Sequence, residues 1–501
     1  MTRQRIALID LGSNTTRLIV MAFHPGQSFR LEDQVKETVR LVSGAGESNI
    51  LQPASVRRAV DALRNFGALV RATDVPEVIG IATSAVRDAH NRDDVLRQIT
   101  AETGLTFRVV SGEEEAYYAY LGVVNSLPLR DGFVVDIGGG SAQVSLVRDR
   151  LLARSTSLPI GAVRMTERFL RSDPPAKAEW RALEDHFDEA LGGLDWFRVG
   201  SGMQLVGLGG AIRTVATIAQ RAQLYPIDRI HAYEISRERV EEICADLRKR
   251  KAKERALVPG VSEERADVLL AGALLLRQLM RHSKAASVQI CGQGLREGVF
   301  YEQFLAGASP PLIPDVRRFA VENLLHAYHG PEAHTAKVCD LALQMFDQLR
   351  PLHGYGSWER ELLTAGANLH DIGLAVNYYD HHKHSAYIIL NSPMPGYTHR
   401  EVAIIALLAR YWRKGTIEIG NLASLLAPGD EQRVARLAAL LRIAATLDRS
   451  KNQVVTGVRC ELDGRVHVVV ETGGDATVEL AHANQRAGLF RRAFDIEISI
   501  E

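Results

Sequence analysis

Two stretches of this chain say nearly the same thing. Ile9-Asp10-Leu11-Gly12-Ser13-Asn14 ends one apolar run in Asp-x-Gly, and Val135-Asp136-Ile137-Gly138-Gly139-Gly140-Ser141 ends another, 126 positions later (136 − 10). Each then leaves in a further β-branched run, over 15–20 and 142–147. Glycines at such a turn let backbone N–H groups approach an anion without a Cβ in the way. An Asp at the strand end can hold Mg²⁺, the usual partner of phosphate oxygens. One Asp-Gly turn alone is more often an ordinary hairpin. Two with the same phase and strand frame point to a duplicated unit whose turns face each other across a phosphate chain. A third glycine loop, Gly207-Leu208-Gly209-Gly210, follows a strand and opens a helix, and such helix starts are anion sites.

At 501 residues the chain exceeds one core and predicts several domains. Strand-like runs at 6–9, 17–23, 35–41, 78–82 and 107–110 alternate with helical periods at 55–70, 93–103 and 114–125. The pattern restarts at 132–136, 144–147 and 205–207, with helices over 177–197 and 264–280. That alternation is an α/β pattern. After a small, Pro-rich stretch at 306–311, nearly everything to 451 has helical period (332–349, 359–369, 400–413, 430–450), and strand-like alternation returns at 454–463, 466–471 and 496–500. The expected domains are 1–125, 126–305, 306–452 and 453–501.

Formal charge is zero, so bulk basicity gives no reason to expect nucleic-acid binding. No run of about 18 apolar residues suggests a membrane span, and the N-terminal residues lack a signal-peptide core. Cys244, Cys291, Cys339 and Cys460 are isolated, as buried inert thiols in a reducing cytoplasm would be.

The stretches Asp10–Asn14, Thr83-Ser84-Ala85-Val86-Arg87, Ser111-Gly112-Glu113-Glu114-Glu115-Ala116, Asp136–Ser141, Gly207–Gly210 and Gly294-Leu295-Arg296-Glu297-Gly298 occur in one order. In these the first 305 residues resemble the exopolyphosphatase / guanosine pentaphosphate phosphohydrolase family, a branch of the actin, heat-shock chaperone and sugar-kinase superfamily. The resemblance implies two duplicated RNase-H-like (actin-like ATPase) α/β domains, each giving one phosphate turn to a shared cleft. It implies Glu115 as the catalytic base; from the residues alone, the choice among Glu113, Glu114 and Glu115 stays open, and Ser111 reads as a helix cap with glutamates complementing the dipole. It implies substrate contacts from Gly12, Ser13, Asn14, Arg87, Gly138, Gly139, Gly140, Ser141, Gly209 and Gly210, and Mg²⁺ (or Mn²⁺) at Asp10 and Asp136. Arg17 and Arg40 are further candidate cleft cations. Ala211 stands where the family often has Thr, so a hydroxyl contact is not expected there.

The helical third carries another set. His334 lies in phase with Val338, Leu341 and Met345; His370-Asp371 ends a helix; Asp448 sits in a later one. Imidazole and carboxylate together suit a divalent metal. The set resembles the HD phosphohydrolase domain, which implies an all-α HD-like domain with a second divalent metal at His334, His370, Asp371 and Asp448, followed by a small α+β tail. His381-His382-Lys383-His384 reads as a basic exposed loop that could extend that site or grip phosphates. Arg413-Lys414 and Arg491-Arg492 read as solvated charge or the lining of a polyanion path.

The expected function is Mg²⁺-dependent hydrolysis of terminal phosphoanhydrides of inorganic polyphosphate, releasing orthophosphate. Its rivals are removal of the 5′-terminal phosphate of guanosine pentaphosphate by the same site, a kinase, and a polyphosphate or alarmone sensor with weak catalysis. Expected partners are polyphosphate, guanosine pentaphosphate or tetraphosphate and a second copy of the chain, without membrane or specific nucleic acid.

Overall fold

The computed structural model describes residues 3–501 and divides into two compact units, 1–314 and 315–501. In the first unit β1 (Gln4–Leu11), β2 (Thr15–His24) and β3 (Ser28–Thr38) form an antiparallel meander, while β4 (Glu77–Ala82) and β5 (Arg108–Val109) extend it in parallel, in the order β3-β2-β1-β4-β5. A second sheet contains β6 (Gly132–Ile137), β7 (Ala142–Arg148), β8 (Leu151–Leu158), β9 (Gln204–Gly209), β10 (Glu234–Ser236) and β11 (Ser287–Ile290), in the order β10-β11-β9-β6-β7-β8. Strands β8-β7-β6-β9-β11 repeat β3-β2-β1-β4-β5 in order and in direction, with β10 as an added antiparallel edge. The sequence duplication is therefore a duplication of topology. Asp10 and Asp136 are each the penultimate residue of the central strand, paired across their hairpins with Arg17 and Gln143.

The central strands are apolar because helices cover both faces. Helix α1 (Pro53–Ala72) starts with Pro at its first turn and buries Val56, Ala59, Val60, Leu63, Phe66 and Val70 at helical spacing. Leu63 and Phe66 are each worth about 2–3 kcal/mol of burial, and Phe66→Ala is expected to cost about 3–5 kcal/mol. Around the second sheet, Trp180 and Phe187 of α2 (Lys177–Gly192) anchor the core. This helix ends earlier than its periodic pattern, and the next expected one splits into a 3₁₀ turn at Glu263–Arg265 and a helix, α3 (Leu269–Ser283). Strand β8, largely polar and half-exposed at the sheet edge, gave no apolar alternation to find.

In the second unit the longer helices before the tail are α4 (Val316–Ala327), α5 (Glu332–Gln348), α6 (Ser357–Leu369), α7 (His381–Asn391), α8 (His399–Tyr411) and α9 (Asp430–Leu447), with a single helical turn at Arg350–His353. The tail pairs β12 (Val455–Leu462), β13 (Val466–Thr472) and β14 (Ile498–Ile500) with helices Thr477–Arg486 and Gly488–Phe494. Gln348 of α5 donates to the Val458 carbonyl at 2.9 Å and accepts from the Cys460 N–H at 2.8 Å, which ties the small sheet to the helices. One expectation is corrected here. The run 381–384 is the first turn of α7, not an exposed loop, and His381 and His382 are buried because Ser385, Ile388 and Ile389 continue their face into the core. All four cysteines are free; Cys244 and Cys291 are buried, Cys339 and Cys460 only half-buried, and burial pushes the four thiols up to about 11 or 12. No helix among the described residues is long and apolar enough to cross a membrane.

Candidate functional site

The two Asp-x-Gly turns face each other. A Cβ added to Gly139 would stand 2.8 Å from Ser13 Cβ and 3.4 Å from the Asn14 N–H nitrogen, so only a bare backbone lets the second turn pack on the first. The third loop closes from the side: Gly209 adopts φ +94°, and its missing Cβ would lie 2.8 Å from Asp136 Oδ1. The helix Gly210–Ala222 starts there with its free N–H groups at the cavity, a ready anion site. The cavity so enclosed measures about 180 Å³.

Asp10 and Asp136 keep some open surface toward this cavity and are packed by protein on every other side. Asp10 Oδ1 is buried without a hydrogen-bond partner. Burial raises the Asp10 pKa against the opposing pull of Arg296 and Arg17. Burial also pushes Asp136 up to about 6, with Arg213 opposing and the Asp10 charge adding to the rise. Hard oxygen donors that repel one another, one of them orphaned, fit a divalent cation such as Mg²⁺.

The acidic triplet is split by the helix it starts, Gly112–Val124. Glu113 is exposed. Glu114 completes a capping box, accepting the Ser111 N–H at 2.8 Å while Ser111 Oγ accepts the Glu114 N–H at 3.1 Å, and it also pairs with Arg108. Glu115 alone turns into the cavity, 7% exposed. Its Oε2 accepts from Arg87 Nη1 at 2.7 Å and from Gln143 Nε2 at 3.1 Å. Burial pushes its pKa up to about 7; Arg87 works against the rise, and the charges of Asp136 and Asp10 reinforce it. The three carboxylates thus feel one another.

Four arginines line the same cavity: Arg17, Arg213, Arg265 and Arg296. Burial and the other three cations pull Arg17 down to about 9, so the wall is strongly positive. Arg213 is held by the carbonyls of Cys291 and Gln293, both at 3.2 Å. Arg296 sits 3.6 Å from Glu297, whose other oxygen accepts the Gly294 N–H at 2.8 Å.

Of the expected residues, Gly12, Ser13, Asn14, Gly138, Gly139, Ser141, Gly209 and Gly210 reach the cavity with Asp10, Asp136 and Glu115. Gly140 and Arg87 do not line it: Gly140 gives its carbonyl to Arg164 Nε at 3.0 Å, and Arg87 stands behind Glu115, also bonded to the Val110 carbonyl at 3.1 Å. Arg40 is turned to Asp267, at 2.8 Å. Arg213, Arg265, Gln143 and Ser84 were not anticipated. Gln143 had a signal, a lone amide in a buried strand at the position matching Arg17 in the repeat; Arg265 had none.

The helical unit holds a second cluster. His334, His370 and Asp371 offer ligand atoms within 4.8 Å of one another. Asp448 lies behind His334, accepting its Nδ1–H at 2.7 Å. Burial holds His370 down to about 4, with the Asp371 charge opposing. Burial would raise Asp371, but His370, His381 and Lys451 outweigh it and hold the carboxyl well below its usual range. Buried His370 Nε2 and Asp371 Oδ1 have no hydrogen-bond partner, so this donor set also fits a divalent metal.

Duplicated lobes that close glycine turns and buried carboxylates on one cavity define a protein of the actin-like class that works on phosphates. The chain belongs to the Ppx/GppA phosphatase family, which its residues 20–306 match, and residues 316–473 match Ppx/GppA phosphatase, domain III. A curated relative from Pseudoalteromonas translucida, a guanosine-5′-triphosphate,3′-diphosphate pyrophosphatase, is 30% identical over 462 residues, covering 88% of this chain and 86% of its own. An exopolyphosphatase structure from Cytophaga hutchinsonii is 25% identical with a TM-score of 0.56, covering 60% of this chain and 98% of its own. The Aquifex aeolicus member of the Ppx/GppA family is 27% identical with a TM-score of 0.52, covering 61% and 98%. The protein is a phosphoanhydride hydrolase.

Proposed function

We propose that this protein hydrolyses the terminal phosphoanhydride of inorganic polyphosphate and releases orthophosphate, with Glu115 as the base for the attacking water. The observation that carries this is Glu115 itself: a buried carboxyl poised near pH 7 in a cavity walled by phosphate turns. Its hydrogen bonds all go to Oε2, which leaves Oε1 to take the proton from water. Arg87 and Gln143 fix the carboxylate plane. Backbone N–H groups of Gly12, Gly138, Gly139, Gly209 and Gly210, with Ser13, Asn14 and Ser141, hold the phosphoryl oxygens. Arg17, Arg213, Arg265 and Arg296 balance the charge of the chain beyond. Asp10 and Asp136 would hold Mg²⁺ (or Mn²⁺), which when bound neutralises charge on the transferred group.

The long relative from Pseudoalteromonas translucida favours a second reading, cleavage of the terminal phosphate of guanosine pentaphosphate in the same cleft. A second divalent ion belongs to His334, His370 and Asp371, with Asp448 behind His334. Four domains divided near 125, 305 and 452, a cytoplasmic setting and a homodimer complete the reading; the four free thiols support the setting. The test is orthophosphate release from long-chain polyphosphate and from guanosine pentaphosphate, each with Mg²⁺ and with EDTA. Release from polyphosphate that EDTA abolishes is expected. Release from guanosine pentaphosphate alone selects the second reading, and release from neither rejects both.

A further inference from the structure

The cavity of about 180 Å³ in the first unit borders a larger space of about 510 Å³, a size typical of small-ligand sites, and Ser84 lines both. The partition between them is thin. Ser13 and Ser84 are buried and share a hydrogen bond, Oγ to Oγ, at 3.1 Å. A Cβ added to Gly140 would stand 2.7 Å from Ser84 Oγ and 3.1 Å from Ser13 Oγ, so a bare backbone closes on this hydroxyl pair. Ser13 and Ser84 belong to one lobe and Gly140 to the other, so a small parting of the lobes opens a way through.

On the far side, the helix Ala162–Phe169 and the turn after it present Arg164, Arg168 and Arg171 to the larger space. Arg164 spans the lobes, donating to the Gly140 carbonyl at 3.0 Å and to Asp88 Oδ2 at 2.5 Å. The two acids of this space are engaged already, Asp88 by Arg164 and Glu167 by the Gly44 N–H. Arg168 and Arg171 are exposed and have no acidic partner among the described residues.

The reacting phosphoryl group belongs on the near side, where Glu115 and Ser13 line the smaller cavity with Ser84. Glu115 is gripped by Arg87, which shares the short helix Ser84–Arg87 with that serine. The cleft arginines lie elsewhere. Arg17, Arg213 and Arg296 act on Asp10 and Asp136, whereas the cation that acts most on Glu115 is Arg87. A phosphate chain that enters past those arginines blocks the way back for the phosphate cut from its end. Product release limits many enzymes, and here the product needs a route that the substrate does not fill.

Resting on the phosphate chemistry proposed above for this cleft, we propose that orthophosphate leaves through the Ser13–Ser84 partition into the larger space, where Arg164, Arg168 and Arg171 receive it. Planar guanidiniums suit a small, doubly charged anion. The substrate enters on one side of the carboxylates and the product departs on the other.

The test uses the full chain with Mg²⁺ and saturating polyphosphate, or guanosine pentaphosphate where only that is cleaved. Acid quench reads cleavage, and a fluorescent phosphate-binding reporter reads release. Arg168→Glu/Arg171→Glu should cleave in its first turnover as fast as wild type, yet release orthophosphate about 10-fold more slowly. A burst of cleaved, unreleased phosphate should therefore precede its steady state. Equilibrium dialysis with labelled orthophosphate in EDTA should find one phosphate fewer on this variant than on wild type. Both arginines are exposed, so the variant should fold, with thermal unfolding matching wild type. Unslowed release in the variant, first-turnover cleavage slowed as much as release, or equal phosphate binding by the two proteins overturns the proposal. A wild type that cleaves neither substrate rejects the earlier reading instead, and the dialysis count then decides the anion site by itself.

Discussion

The two sites solve opposite electrostatic problems. In the cleft of the first unit, three carboxylates share a buried space and burial drives them up, Glu115 to about 7 and Asp136 to about 6. In the helical unit, imidazoles surround one carboxylate; burial keeps His370 neutral while its neighbours keep Asp371 ionised. Mutual repulsion makes the first set ready to exchange protons and hold a hard ion near neutral pH. The second set instead places partnerless imidazole nitrogens beside a settled anion. Two clusters of buried donors in one chain thus arise by different physics, and each difference can be probed.

The largest expected effect is at the base. Glu115→Gln should lower kcat for phosphate release by about 10²–10⁴-fold with little change in KM. A variant with full turnover would remove Glu115 from the chemistry and leave the two sites less distinct than described.

Next comes pH. A base titrating near 7 predicts that kcat/KM rises with pH through that value, where the ordinary 4.5 of a glutamate would give a flat profile. Arg87→Ala should move the inflection upward, because the guanidinium is what opposes the rise. Stability runs the other way. A carboxyl whose pKa is raised by folding binds its proton more tightly in the native state, so its contribution is full below pH 4.5 and is lost as pH climbs through 7. In EDTA, the Glu115 share of the weakening in urea unfolding across that window is on the order of 3 kcal/mol; Asp136 and Asp10, also raised by burial, add to the slope, and Glu115→Gln should make it shallower by the Glu115 share.

A smaller effect separates neighbours in sequence. Glu114→Ala should cost about 1 kcal/mol through the lost capping box and leave turnover unchanged. Equal turnover losses at Glu114 and Glu115 would break the division of labour between them.

Much of this was legible in the residues. The Asp-x-Gly repeat announced the duplicated topology, because a turn between β-branched runs fixes strand, bend and strand in nine or ten positions. The choice of Glu115 was not legible: three glutamates at the start of a helix differ only in which face they take, and that is set by the cap at Ser111. Arg265 was invisible because a 3₁₀ turn, far along the chain, carries it to the cleft. The run 381–384 misled for the opposite reason. Four polar residues in a row read as solvent-exposed, yet His381 and His382 continue the buried face of a helix whose core signal comes later, at Ile388 and Ile389.

The central claim is that one aspartate from each lobe serves a single ion and a single phosphoryl group. A double-mutant cycle on phosphate release, with Asp10→Asn, Asp136→Asn and both together, tests it most directly. Each single variant should lose about as much activity as the double, since removing either half disables the shared centre. Losses that multiply, each aspartate contributing its own independent factor, would mean that the two turns do not act on one group.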